Sequence, residues 1–520
     1  KVKPLYEQAI ALCWRLYDAS GGSQKYAEQA FAFSEKSRSI ILLDAVRRLR
    51  ANFELPEGLA KSEQDLNLRV NYYEKQLALL RQSGKEDSAR KAELTNKLLE
   101  SRRLYDSKLK EIREADSNYF HLKFNHETLS LREFSKQLGR RQTFLEYFVG
   151  DSAVFVFVAN RNKAPGFVRI GLDFPLRAWV EELNLKLRQQ SLDLEPGYKI
   201  YEKLLAPLEH RKLLAGELIL VPDDVLGYVS FDMLPSSWPG TGGFSLRTFE
   251  DYLLYQYQIS YLYSATLGKE SFSLKARGEM AFLGVAPSFE RNFKVAGYAF
   301  EALDWGSIME DIKSRHGQNS KLLFGKKIAA DSFSHYAPHY RILHLATHAL
   351  ANDSLGNLSF ILLSEEEGGL LYAKDLYRLK LNADMAVLTT CQGAAGELRK
   401  GEGIISLARG FFYAGCASVI PTLWTAREDV SKELMTRFYE YLDQGKTKDK
   451  ALRQAKLDYL EQLKPESGHL AHPYYWAAFV PMGNMASLSQ PCSFPWRWLL
   501  VVLAAAALAC WLFRRRFRSA

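Results

Sequence analysis

Between residues 153 and 422 the chain repeatedly returns to near-continuous apolar runs of strand length, and this pattern constrains the fold more than any other feature. The runs are Ala153–Ala159, Leu218–Val221, Met280–Val285, Ile342–Ala346, Phe360–Leu363, Met385–Thr390 and Ala417–Thr422. They are rich in β-branched and aromatic residues and show little apolar/polar alternation. A strand wetted on one face alternates; a strand without alternation is covered on both. Segments of helical character lie between several runs, for example Gly403–Ala414 and Asp429–Leu442. Apolar strands alternating with helices predict an α/β three-layer sandwich with a mainly parallel sheet.

The N-terminal part reads differently. Residues 1–58 are helical, and from Tyr26 to Arg50 the residues Tyr26, Ala30, Phe33, Ser37 and Ile41 recur at helical spacing. Ala27 and Ala30 beside large residues suit close helix packing. One such unit resembles the last hairpin of a tetratricopeptide array, and equally any amphipathic hairpin. Over residues 59–135, Leu66, Val70, Tyr73, Leu77 and Leu80 form one stripe, and Leu94, Leu98, Tyr105, Leu109 and Ile112 a second after Ser83-Gly84. Two stripes joined by a short polar loop predict a long antiparallel, coiled-coil-like hairpin.

The chain ends on an apolar stretch. Trp498–Phe513 contains no charge and no proline, and Arg514, Arg515, Arg516 and Arg518 follow it. Sixteen helical residues reach roughly 24 Å against a hydrocarbon core of about 30 Å, with flanking tryptophans and Arg497 to close the gap. The expectation is a linker over 486–496, a single transmembrane helix over 497–513 and a basic tail over 514–520. The positive-inside rule puts that tail in the cytoplasm and the bulk of the chain on the periplasmic or extracellular side.

Charge and cysteine usage exclude other classes. The net charge of +9 is spread through mixed-sign sequence, without a basic face interleaved with aromatics, so nucleic acid is not an expected partner. The five cysteines, Cys13, Cys391, Cys416, Cys492 and Cys510, follow no zinc spacing. His344 and His348 form HxxxH on a strand without the Glu of the helical zinc motif, so neither metal nor cofactor is expected.

The chemistry concentrates at two strand ends. Arg341-Ile-Leu-His-Leu-Ala-Thr-His348 is an apolar strand ending in histidine, and Met385-Ala-Val-Leu-Thr-Thr-Cys391-Gln-Gly393 is another ending in cysteine. In a parallel sheet the carboxyl ends of strands border one crevice, so imidazole and thiol can meet there. A thiolate is the nucleophile, and a neighbouring histidine takes its proton. Backbone N–H groups at Ala349 and Cys391 are candidates for holding an oxyanion. Cys391-Gln392-Gly393, with a histidine 43 residues upstream, fits caspase-type spacing.

Blocks in order along the C-terminal half carry a wider likeness. They are Leu220–Leu226, Phe231–Pro235, Ile259–Ala265, Phe282–Pro287, His344–His348, Leu388–Gly393, Gly401–Gly415, Val419–Trp424 and His472–Phe479. Over residues 140–485 the chain resembles a CHAT domain, the caspase-like peptidase domain often attached to tetratricopeptide repeats. The resemblance implies a cysteine endopeptidase with His348 as general base and Cys391 as nucleophile, acting on a protein or peptide. Combined with the helical region and the C-terminal span, it predicts a membrane-tethered peptidase regulated by a protein partner at the N-terminal helices. The alternative is a catalytically inactive CHAT-fold scaffold for assembly at the membrane. Three positions depart from the family pattern: Ala349 where Gly is usual, Thr389-Thr390 where Ser-Ala is common, and Arg427-Glu428-Asp429 where an acidic pair follows Leu-Trp more closely. Glu428 and Asp429 are candidates for a pocket selecting a basic side chain, or for capping the next helix.

Overall fold

The β-branched and aromatic runs form strands and the segments between them form helices, and a thirteen-stranded sheet organises both. The computed structural model describes residues 3–38, 62, 65–70, 72–73, 76–77, 80, 88–115, 128–161, 163–238, 249–273, 278–350, 359–377, 379–392, 403–463 and 469–488, with backbone only for 113, 115, 249, 273, 374, 390–392 and 403–406. The strands are β1 Gln142–Val149, β2 Ala153–Asn160, β3 Gly166–Gly171, β4 Glu217–Val221, β5 Gln258–Tyr261, β6 Met280–Pro287, β7 Phe293–Val295, β8 Tyr298–Phe300, β9 Ser320–Gly325, β10 Tyr340–Leu350, β11 Phe360–Leu362, β12 Leu370–Tyr372, β13 Met385–Gln392, β14 Ser418–Ile420 and β15 Met482–Gly483. All but the separate hairpin β7–β8 belong to the large sheet.

β10 carries neighbours on both edges. One edge pairs with β13 from Ile342 to Ala349. The other is shared: β6 runs parallel along Tyr340–Leu345, and β11 runs antiparallel along His348–Leu350. β9 lies outside β6 and β12 outside β11. Beyond β13 the order continues β14, β15, β5, β4, β1, β2, β3.

The sheet is mixed and mostly parallel, as the apolar runs predict, but it consists of two halves. β6, β9, β10, β13 and β14 run one way. β15 is antiparallel to β14 and parallel to β5, so β5, β4 and β1 run the other way. Hydrophobicity reports that a strand is buried and says nothing about its direction, so this reversal is invisible in the sequence.

Helices cover both faces. Alternate residues of β1 divide accordingly: Leu145, Tyr147 and Val149 join the main core with Val180, Leu183 and Ile200. Phe144 and Phe148 face a second core built with the N-terminal helices. Those are α1 (Lys3–Ala19) and α2 (Gln24–Ser37). They pack on β1–β3 through Phe31 against Phe157, ring centroids 5.4 Å apart, and Trp14 edge-on to Phe167 at 5.1 Å. α2 stops earlier than the spacing of residues 26–50 suggests. Arg38 is extended (φ −95°, ψ −170°), and its guanidinium donates to the carbonyls of Tyr147 and Pro222.

Ser88–Ala115 is one helix, on which Leu94, Leu98, Tyr105 and Leu109 are half-buried and Ile112 is buried. Its partner over residues 62–80 is described only in part.

The expected membrane anchor is corrected. Among the described residues no helix is long and apolar enough to cross a membrane. The expected span 497–513 and tail 514–520 lie outside the described residues. The single-pass location therefore has no structural support. Its physical weakness is length, because sixteen apolar residues fall about 6 Å short of the hydrocarbon core.

Candidate active site

His348 and Cys391 are register partners on the parallel strands β10 and β13. Parallel neighbours lie about 4.8 Å apart, and partners in register belong to one face. His348 is buried. Its Nε2 donates to the backbone carbonyl of Glu301 at 2.9 Å. That bond fixes the ring's orientation and leaves Nδ1 as the nitrogen with a lone pair. Three aromatic rings surround the imidazole: Phe300 at 5.2 Å, Phe289 at 5.3 Å and Phe293 at 6.0 Å between centroids.

The rings and the carbonyl come from one device. β7 and β8 form a short hairpin, Phe293 pairing with Phe300, and Phe289 bridges to Leu303 at its base. Left-handed Ala296 (φ 51°) and Gly297 (φ 85°) close its turn, a backbone that glycine adopts without penalty. Sequence reasoning passed over this segment because its strands are short and its polar contribution is a backbone carbonyl. The signal available was the spacing of Phe289, Phe293 and Phe300 around Gly297.

Ala349 continues β10, pairing with Gln392 of β13 and Ile361 of β11. Its φ lies outside the left-handed region, so alanine stands there without strain.

Glu428 and Asp429 occupy the first turn of the helix Glu428–Asp443. Glu428 pairs with Lys432 at 2.5 Å and Asp429 with Arg427 at 2.8 Å. Asp429 Oδ1 also accepts from the amide of Val430 at 2.9 Å. Carboxylates are favoured at a helix N-terminus, and these two are engaged there.

His344, four residues earlier on β10, is a satisfied structural group. Burial depresses its pKa to about 3, so it is neutral. Nε2 bonds Thr389 Oγ1 at 2.9 Å and Nδ1 bonds the hydroxyl of Tyr439 at 3.2 Å. Cys416 is buried, and desolvation pushes its thiol up to about 12, so it is inert. Among the described residues no cluster of His, Cys, Asp and Glu could hold a metal ion.

The mixed, mostly parallel sheet with helices on both faces makes this an α/β protein, and it sets His348 and Cys391 at one register position on adjacent parallel strands. The CHAT domain model matches residues 194–484, more than half of the chain, and the protein belongs to the CHAT domain family. A stretch of 124 residues is 32% identical to tetratricopeptide repeat protein 28 of Mus musculus and 31% identical to that of Homo sapiens. It covers 24% of this chain and only 5% of either relative. Among solved structures, the Arg-specific cysteine proteinase gingipain R aligns with 61% of this chain and 75% of its own at 8% identity and a TM-score of 0.37. The Saccharomyces cerevisiae separase–securin complex aligns with 88% of this chain and 41% of its own at 10% identity and a TM-score of 0.40.

Proposed function

We propose that this protein is a cysteine endopeptidase that hydrolyses peptide bonds with Cys391 as nucleophile and His348 as general base. The observation that carries the reading is the His348–Cys391 register pair, with Nε2 of the histidine committed to the Glu301 carbonyl. A base oriented by a third group beside a nucleophile is the general pattern of covalent hydrolases. Nδ1 takes the thiol proton and the thiolate attacks the peptide carbonyl carbon. The imidazolium returns the proton to the leaving amine, which departs and leaves a thioester. Water attacks the thioester while His348 accepts its proton, the carboxylic acid leaves, and the thiol is restored. Backbone amides at Ala349 and Cys391 hold the oxyanion. No cofactor takes part in these steps.

A protein partner binds the helical region. Leu5, Leu12 and Leu16 follow one another along α1 and are exposed. Leu12→Glu with Leu16→Glu should abolish co-purification of such a partner, and unchanged co-purification would refute that assignment.

The test of the peptidase is cleavage of a peptide library by wild type, Cys391→Ala and His348→Ala. Both variants should lose activity at unchanged melting temperature. Robust cleavage by Cys391→Ala refutes the proposal. The enclosure of His348 by three phenylalanines favours a second reading, a scaffold with a covered site. A wild-type Cys391 no more reactive toward iodoacetamide than an ordinary thiol would support the scaffold.

A further inference from the structure

We infer that Thr389, His344 and Tyr439 are positioning residues that hold β10 and β13 in the register which sets His348 beside Cys391. The inference rests on the dyad proposed above. β10 and β13 are apolar runs covered on both faces, and a slip of one residue would turn every side chain to the other face. A slip of two residues keeps every side chain on its own face, so burial alone does not forbid it. Polar cross-links must therefore choose between registers. At the amino end Arg341 pairs with Asp384, Nε and Nη2 to Oδ2 at 2.9 and 2.5 Å. The link nearest the dyad is His344 Nε2 to Thr389 Oγ1 at 2.9 Å. Thr389 lies two residues before Cys391 and His344 four before His348, so on the same face the link joins positions one and two steps below the pair.

Three neighbours fix the imidazole of His344. Tyr439 bonds its other nitrogen at 3.2 Å and stacks on it, centroids 5.6 Å apart at 20°. Trp305 lies 6.2 Å away across the ring. On the neighbouring strand the register partner of His344 is Gly284, where an added Cβ would come within 2.9 Å of Met309 and 2.8 Å of Leu322. His344, Thr389 and Tyr439 are all buried. A slipped register would strand the imidazole and two hydroxyls in the core, where a polar group without a partner is destabilising. The Thr389 departure from the family's common Ser thus supplies one end of the link, a hydroxyl that serine would also provide.

The test is the pH profile of Cys391 alkylation by iodoacetamide on the full chain, with Cys13, Cys416, Cys492 and Cys510 monitored separately by peptide mapping. Wild type should show a thiolate pKa well below the free-thiol value of about 8.5. Thr389→Val and Tyr439→Phe should move it up by about one unit, a tenfold loss of labelling rate at pH 6.5. Thr389→Ser should restore it. Tyr439→Phe removes one oxygen only, so it keeps the test open if Thr389→Val does not fold. A wild-type profile in Tyr439→Phe or in folded Thr389→Val overturns the inference. An ordinary thiol pKa in wild type itself overturns the dyad instead.

Discussion

The imidazole of His348 donates its Nε2–H to the carbonyl of Glu301 at 2.9 Å, and the two residues are joined through a hairpin whose phenylalanines wrap the same ring. The backbone of that hairpin, rather than an acidic side chain, therefore sets the tautomer of the histidine. Replacing Glu301 by Gln should leave cleavage unchanged within twofold, because only its carbonyl is used. Phe300→Ala should lower kcat by about tenfold, equivalent to about 1.4 kcal/mol of barrier, with KM little changed. Phe300→Leu should recover most of it. Steady-state kinetics on one peptide substrate decide the matter, and a Glu301→Gln collapse would contradict the carbonyl assignment.

His344 makes stability depend on acid. Its folded pKa of about 3 lies below its usual 6.5 because burial opposes the charged ring. Between those values the unfolded chain binds a proton that the folded chain refuses. This group's contribution therefore falls as pH drops below 6.5, by about 1.4 kcal/mol per pH unit. Burial and nearby Glu35 raise Glu146, which acts in the opposite sense: its favourable contribution is present below the usual 4.5 and is lost as pH rises through its folded value. Urea denaturation of His344→Gln between pH 4 and 7 should give a flatter acid limb than wild type. A parallel pair of curves would remove His344 from the account.

Glu35 joins the N-terminal helices to the rest of the domain. From α2 its carboxylate accepts from the amides of Ala265 at 3.0 Å and Thr266 at 2.8 Å, and from the Thr266 hydroxyl. It thereby caps the helix Ala265–Ser273 from another part of the chain. Glu35→Ala should cost about 2–4 kcal/mol, since it leaves buried donors unpaired. Amides of residues 265–268 should lose hydrogen-exchange protection first. Loss below about 0.5 kcal/mol would show that water replaces the cap.

Much of the candidate site was legible because its two chemical residues end apolar strands. Met385–Thr390 and Ile342–Ala346 needed only their hydrophobicity to be recognised as buried strands, and His348 and Cys391 stand at their ends. The departures at Thr389 and Ala349 were visible too, but their meaning was not. Thr389 acquires a role through His344 and Tyr439, which lie 45 residues before it and 50 after it in the chain. Glu428 and Asp429 suggested a pocket, and the helix that begins there engages both. The helical repeat read at residues 1–58 did not disclose that α1 and α2 would close the aromatic face of β1–β3. That face, at the far end of the sheet from β10 and β13, depends on where the chain returns.

By itself the sequence determined which segments are buried strands and which are helices, and it nominated His348 and Cys391 as the proposed base and nucleophile. These properties follow from local hydrophobic period and side-chain chemistry, which need no knowledge of neighbours. Only the tertiary structure decided strand direction and register, the reversal of the two half-sheets, the hairpin over His348 and the link from Tyr439 through His344 to Thr389. Each is a pairing of groups distant along the chain, fixed by satisfying buried polar atoms and filling a shared core.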